Sequence, residues 1–133
     1  MTAASPTRTE TVESPTPSAR SAVEATLHAY LAGARGEQGL LSGAFYSSCN
    51  LQSLGEEEKL EIVPRDRFIE FAEAGLLPEH ESRIEDVQIV NDMARAIVSF
   101  EFKAHAFVDY LTLLRVRGRW TIVAKVYTKV RRP

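Results

Sequence analysis

Apolar positions recur in two rhythms along this chain, and the change from one to the other falls near Ser82. In the first half Val23, Leu27, Tyr30, Leu31 and Ala34 return at helical spacing, with Glu24, His28 and Arg35 on the opposite side. The stripe is apolar apart from the Tyr30 hydroxyl. The preceding SAVE matches a capping box, in which Ser21 and Glu24 satisfy each other's free backbone donors, so the first helix is predicted to begin at Ser21. Gly36 and Gly39 stop it. EQGLLSGAF predicts a short second helix packing Leu40, Leu41 and Phe45, after which the chain extends from Asn50 to Leu54. A polar turn, GEEEK, leads into the strand LEIV. Pro64 then opens a third helix with Phe68, Phe71 and Ala72 inward and Gly75 as its stop.

From Ser82 onward the period is two. SRIEDVQIV, ARAIVSFEF and the long stretch FVDYLTLLRVRGRWTIVAKVY read as strands, with corners at Asn91–Asp92, Lys103–Ala106 and Arg117–Gly118. A two-residue loop at Arg117–Gly118 pairs Arg115 with Trp120, Leu113 with Ile122, Leu111 with Ala124 and Asp109 with Val126. That face is apolar and reads as core, with Arg115 over Trp120 as a cation–π pair. The other face gathers Tyr110, Thr112, Val123, Lys125 and Tyr127. Its Tyr110 and Lys125 admit two readings, a solvated or subunit-facing surface and a pocket wall with convergent polar groups. Asp109 falls on the core face, where a sheet-edge or ion-pair role suits it; a place in the pocket requires the register to shift by one residue.

Helices followed by a run of strands give an α+β fold, a curved and mostly antiparallel sheet covered by about three helices. Residues 21–133 are expected to form one domain. Residues 1–20, rich in Ser, Thr and Pro with few large apolar groups, are expected to form a disordered tail. Sixteen basic against eighteen acidic residues give a formal charge of −2 without long basic runs, so nucleic acid is not an expected partner, and with no stretch near the ~20 apolar residues that span a bilayer, no membrane is expected either. Cys49, the single cysteine, allows no internal disulfide and reads as a small buried apolar residue. With no signal-peptide core in view, a soluble cytoplasmic protein is expected. His80 and His105 stand alone in loops and share no ligand spacing, so no metal or other cofactor is expected.

The order of elements, with HAYLAGARGEQGLLSGAFYSS near the front and VDYLTLLRVRGRWTIVAKVY at the back, resembles the nuclear transport factor 2-like superfamily and, more narrowly, its lumazine-binding branch. The resemblance covers about Ser21 to Val130. It implies a cone-shaped, barrel-like fold, usually dimeric, with a pocket between helices and bent sheet. By the same resemblance, the oxyanion-donating tyrosine of ketosteroid isomerase falls on Tyr30. Its general-base aspartate falls near Ser53, its protonated aspartate near Thr112, and its last-strand pocket positions on Val123, Lys125 and Tyr127. Ser53 cannot act as a base near neutral pH, so steroid isomerisation by that route is not expected.

These considerations nominate Lys125, Tyr30 and Tyr110 for catalysis. Thr112, Tyr127, Val123, Tyr46, Ser53, Phe68 and His105 are nominated for substrate contact, Lys125 acting as a base or electrostatic anchor lowered in pKa by apolar surroundings. The expected function is a cofactor-independent isomerase, cyclase or dehydratase acting on an apolar carbonyl metabolite, of the kind found in secondary metabolism. The alternatives are a non-catalytic small-molecule binder and a dimeric adaptor joined through the outer sheet face.

Overall fold

A computed structural model describes residues 17–131. Residues 1–16 of the expected tail lie outside the described residues, while residues 17–20 already belong to the first helix, α1 (Pro17–Ala34). Ser21 therefore sits inside the helix, and the capping box is not its start. Proline suits a first helical position because the amide it lacks would have no partner there, and Arg20 braces the added turn through an ion pair with Glu24 at 3.2 Å.

The buried face of α1 is the expected stripe, with Val23, Leu27, Tyr30, Leu31 and Ala34 all buried. Next come α2 (Leu41–Ala44), β1 (Asn50–Leu54), a tight turn at Glu56–Glu58, β2 (Leu60–Pro64) and α3 (Arg65–Glu73). Close approach of α1 and α2 depends on Gly33, where a Cβ would lie 2.5 Å from the Leu41 side chain. The Arg65 guanidinium donates to the carbonyls of Ser42 at 3.1 Å and Phe45 at 2.9 Å, tying the start of α3 to the end of α2.

Four strands complete the described residues: β3 (Glu81–Val90), β4 (Met93–Glu101), β5 (His105–Val116) and β6 (Arg119–Arg131). The six strands form one open sheet in the order β2-β1-β6-β5-β4-β3, antiparallel throughout except where β1 runs parallel to β6. The α+β architecture with a curved, mostly antiparallel sheet is thus present, and its edges do not close. His105, expected in a turn, is the first residue of β5.

The β5–β6 hairpin turns on Arg117 (φ 53°) and Gly118 (φ 82°), the paired left-handed conformations of a two-residue loop whose twist suits the strands. From the turn, Val116–Arg119, Arg115–Trp120, Leu113–Ile122 and Leu114–Thr121 pair as the sequence predicts. The Arg115 guanidinium lies 6.0 Å from the Trp120 ring centroid. Beyond that point the register shifts between Thr112 and Leu113: Thr112 pairs with Ala124, Leu111 with Lys125, Tyr110 with Val126 and Asp109 with Tyr127. Val123 is the extra residue. A β-bulge of this kind puts two residues opposite one, and every side chain past it changes face.

Candidate functional site

The bulge moves Lys125 and Tyr127 from the outer face to the concave one, beside Asp109. The expectation that Tyr110, Thr112, Val123, Lys125 and Tyr127 share a face is therefore corrected, because one inserted residue inverts the alternation for the second half of β6. The face read as plain core is the one that carries the polar groups.

These groups line a cavity of about 310 Å³ between the concave sheet and the helices, bordered also by Tyr30, Leu51, Phe68, Phe100, Phe107 and the exposed Arg67 of α3. The phenylalanines line the space without filling it. Tyr30 comes from α1, Asp109 from the middle of β5 and Lys125 from β6, where Lys125 also pairs with Leu51 of β1. All three are deeply buried, with Asp109 1% and Lys125 6% exposed. Nζ of Lys125 donates to the Tyr30 hydroxyl at 2.7 Å, and that hydroxyl donates in turn to Oδ2 of Asp109. The ammonium stands 3.7 Å from the same carboxylate oxygen. It also faces the rings of Phe68 at 4.5 Å, Tyr30 at 5.0 Å and Tyr127 at 5.1 Å from their centroids.

Desolvation governs the electrostatics here. It raises the Asp109 carboxyl, with the attraction of Lys125 and the Tyr30 hydrogen bond working against it. It lowers Lys125, with Asp109 the main opposing influence. Tyr30 is pushed well above the usual phenol range by burial and then by the neighbouring Asp109 charge, so its hydroxyl stays protonated and bridges the other two groups. Cys49 is buried and its thiol is raised by desolvation, which leaves it an inert core residue.

The nominated residues divide clearly. Tyr30, Lys125, Tyr127 and Phe68 border the cavity. Tyr110 lies on the outer face and is 64% exposed, so it cannot act inside the pocket. Thr112 shares that outer face, Val123 is taken up by the bulge, and neither borders the cavity. Ser53, paired with Glu61 across β1 and β2, also stays outside it. Tyr46, half exposed, borders a separate surface hollow with Arg65 and Arg119. The His105 ring stacks on Phe102 with centroids 5.1 Å apart, one layer removed from the cavity that Phe102 borders. His80, expected on a charged loop, packs against Phe100 and Phe102 with centroids 5.3 and 5.1 Å away.

Asp109 is the member of the site that alternation alone leaves on the core face. A signal for it exists in the chain: Asp109 is the one charge in FVDYLTLL and Lys125 the one charge in WTIVAKVY. Two opposite charges inside apolar runs of neighbouring strands are best buried as partners, and partnership requires one extra residue in β6.

An open curved sheet backed by helices, with a cavity between them, defines the nuclear transport factor 2-like fold, and solved structures agree. A nuclear transport factor 2-like protein of unknown function from Silicibacter pomeroyi is 28% identical, with a TM-score of 0.70 over 83% of this chain and 94% of that one. One from Shewanella baltica is 24% identical, with a TM-score of 0.73 over 86% and 94% of the two chains. A ketosteroid isomerase-like protein from Erwinia carotovora atroseptica shares the fold at 16% identity, with a TM-score of 0.65 over 84% and 96%. The family described as "Putative lumazine-binding" matches residues 18–128, and the chain belongs to that family. No curated protein matches the chain. Among the described residues, no helix is long and apolar enough to cross a membrane.

Proposed function

We propose that this protein binds an apolar, carbonyl-bearing small molecule in the cavity and moves a proton on it without a cofactor, as an isomerase, cyclase or dehydratase does. The observation that carries this reading is the Lys125–Tyr30–Asp109 hydrogen-bonded chain in a space lined, apart from Arg67, by aromatic and aliphatic side chains. A cavity of about 310 Å³ is at the small end of ligand sites and suits a compound of one or two rings. Lys125 supplies N–H donors to a ligand carbonyl in a water-poor setting, where such donors stabilise developing oxyanions most. Asp109, raised by its burial, exchanges the proton. A tyrosine beside a buried carboxyl is also the oxyanion machinery of ketosteroid isomerase, in which apolar surroundings keep the carboxylic acid neutral. The separate base of that enzyme has no counterpart at Ser53, so Asp109 has to serve here.

The second reading is a binder of a flat heterocycle without chemistry. Phe68, Phe100 and Phe107 along the cavity favour it by offering ring faces and edges, and the family's description points the same way. Exchange of the α-hydrogens of β-tetralone in heavy water, followed by proton NMR, separates the two. Catalysed exchange that is lost in Asp109→Asn supports the first reading, whereas saturable binding without exchange sinks it in favour of the second.

A homodimer through the outer sheet face belongs to the same proposal, since Tyr110, Leu114 and Val126 expose apolar surface there. Sedimentation equilibrium of the parent and of Tyr110→Glu tests it, and a parent that remains monomeric at high concentration rules it out. A reducing cytoplasmic setting, which a single cysteine with no internal disulfide partner suits, accompanies this reading.

A further inference from the structure

We propose that Lys125 captures its ligand covalently: its amine condenses with a ketone or aldehyde held in the cavity to form a protonated imine, Tyr30 and Asp109 carrying the protons. This deepens the acid–base reading and rests on the same carbonyl-binding cavity.

The geometry around Nζ gives its proton a route out through Tyr30 to Asp109. Of the three N–H donors an ammonium carries, one meets the Tyr30 hydroxyl at 2.7 Å. Oδ2 of Asp109, at 3.7 Å, is beyond hydrogen-bond reach and is met through that hydroxyl. Nζ also faces the rings of Phe68, Tyr30 and Tyr127 and borders the cavity. A lysine desolvated among apolar groups is the setting in which this side chain becomes a nucleophile toward carbonyls. The lowering of Lys125 by burial agrees with the geometry. The other lysines, Lys59, Lys103 and Lys129, are exposed, and none of them borders this cavity.

The Tyr30 hydroxyl completes the mechanism because it touches both partners. A proton leaving Nζ enters the phenol oxygen as the phenol proton passes to Oδ2 of Asp109, which leaves a free amine and a carboxylic acid. The amine lone pair forms a C–N bond to the carbonyl carbon, and the C=O π pair moves to oxygen. That oxygen takes the proton from Asp109 and becomes a hydroxyl. Nitrogen then returns a proton to Asp109 through Tyr30. Asp109 protonates the hydroxyl, the C–O bond breaks with loss of water, and the nitrogen lone pair closes the C=N bond. The sum is ammonium plus carbonyl giving protonated imine plus water, with the Asp109 carboxylate restored beside a cation. No oxidant or reductant takes part. The cationic nitrogen draws electrons from the adjacent carbon and acidifies its hydrogens, which is the proton movement of the proposed function.

The test traps the imine. The intact chain is incubated near neutral pH with β-tetralone, cyclohexanone or benzaldehyde and sodium cyanoborohydride, then digested and mapped by mass spectrometry. The expected result is a reduced secondary amine on Lys125 at least about tenfold in excess over any exposed lysine, because only Lys125 has the carbonyl compound held against its amine. Asp109→Asn, checked for folding by circular dichroism, should form the adduct at least about tenfold more slowly, since the group that carries the protons is gone. If all three carbonyl compounds label only Lys59, Lys103 and Lys129, or label nothing, the inference is overturned. Hydrogen exchange without an adduct leaves the acid–base reading standing and removes the imine. An adduct without exchange keeps the imine and removes the proton transfer.

Discussion

The two ends of the β5–β6 hairpin obey different rules. Near the turn, Leu113–Ile122 and Arg115–Trp120 pair as alternation dictates, and the face they form is core and little else. Past Val123, the same strands carry Asp109, Lys125 and Tyr127 on that face, and the core becomes a cavity with a charged end. The turn end is built from residues that need only apolar neighbours. The open end holds two groups that tolerate burial only together, so one extra residue decides whether they meet.

The sharpest way to break this contrast is to delete Val123. Without the bulge, the residues that follow return to the other face, and Asp109 is left under α1 with no cation. We expect a loss of more than about 5 kcal/mol, enough to unfold a typical domain, read as a collapse of the urea midpoint. A variant that keeps its midpoint would mean the bulge has relocated and is not needed for the pairing.

Lys125→Met is next in size. It strands the Asp109 carboxyl at a cost of about 3 to 5 kcal/mol, while the double variant with Asp109→Leu should recover most of that loss, because removing both charges removes the desolvation penalty as well. Chemical denaturation of the two singles and the double closes the cycle. Simple additivity would show that the pair is not coupled.

The same Lys125→Met variant has a defined pH response. Burial raises the folded Asp109 carboxyl above its ordinary 3.8, and removing Lys125 takes away the largest influence that held it down. Between the unfolded and folded values the native state binds more protons than the unfolded state, so stability must rise as pH falls through that window. Midpoints at mildly acidic and neutral pH should differ in that direction, by part of the preceding loss. A flat profile would place the Asp109 carboxyl outside the core.

The smallest effect belongs to Tyr110→Ala on the outer face, which should change monomer stability by less than about 0.5 kcal/mol and leave imine trapping unchanged. Its influence should appear in the concentration dependence of association. A loss of trapping in this variant would return Tyr110 to the cavity.

Most of the fold is legible in the chain because burial imposes its period on the sequence: the α1 stripe, the glycine stops and the Arg117–Gly118 loop all match what is observed. The start of α1 is not, because SAVE has capping chemistry yet lies one turn inside a helix opened by Pro17. The site is half legible. Spacing and resemblance point to Tyr30, Phe68, Lys125 and Tyr127, but strict alternation puts Lys125 and Tyr127 on the wrong side. Val123 stands in the run Thr121-Ile122-Val123-Ala124, which carries no glycine or proline to mark a bulge. Only the charges of Asp109 and Lys125 betray it.

Chain order has a consequence for how this site can form at all. Tyr30 lies 95 residues from Lys125, and closing so distant a contact is slow. Asp109 and Lys125, by contrast, sit on strands joined by a two-residue loop, and hairpins form early and quickly. A chain that folds its hairpin first brings α1 down onto an ion pair already made, and at no stage must a solitary charge wait in the dark for its partner.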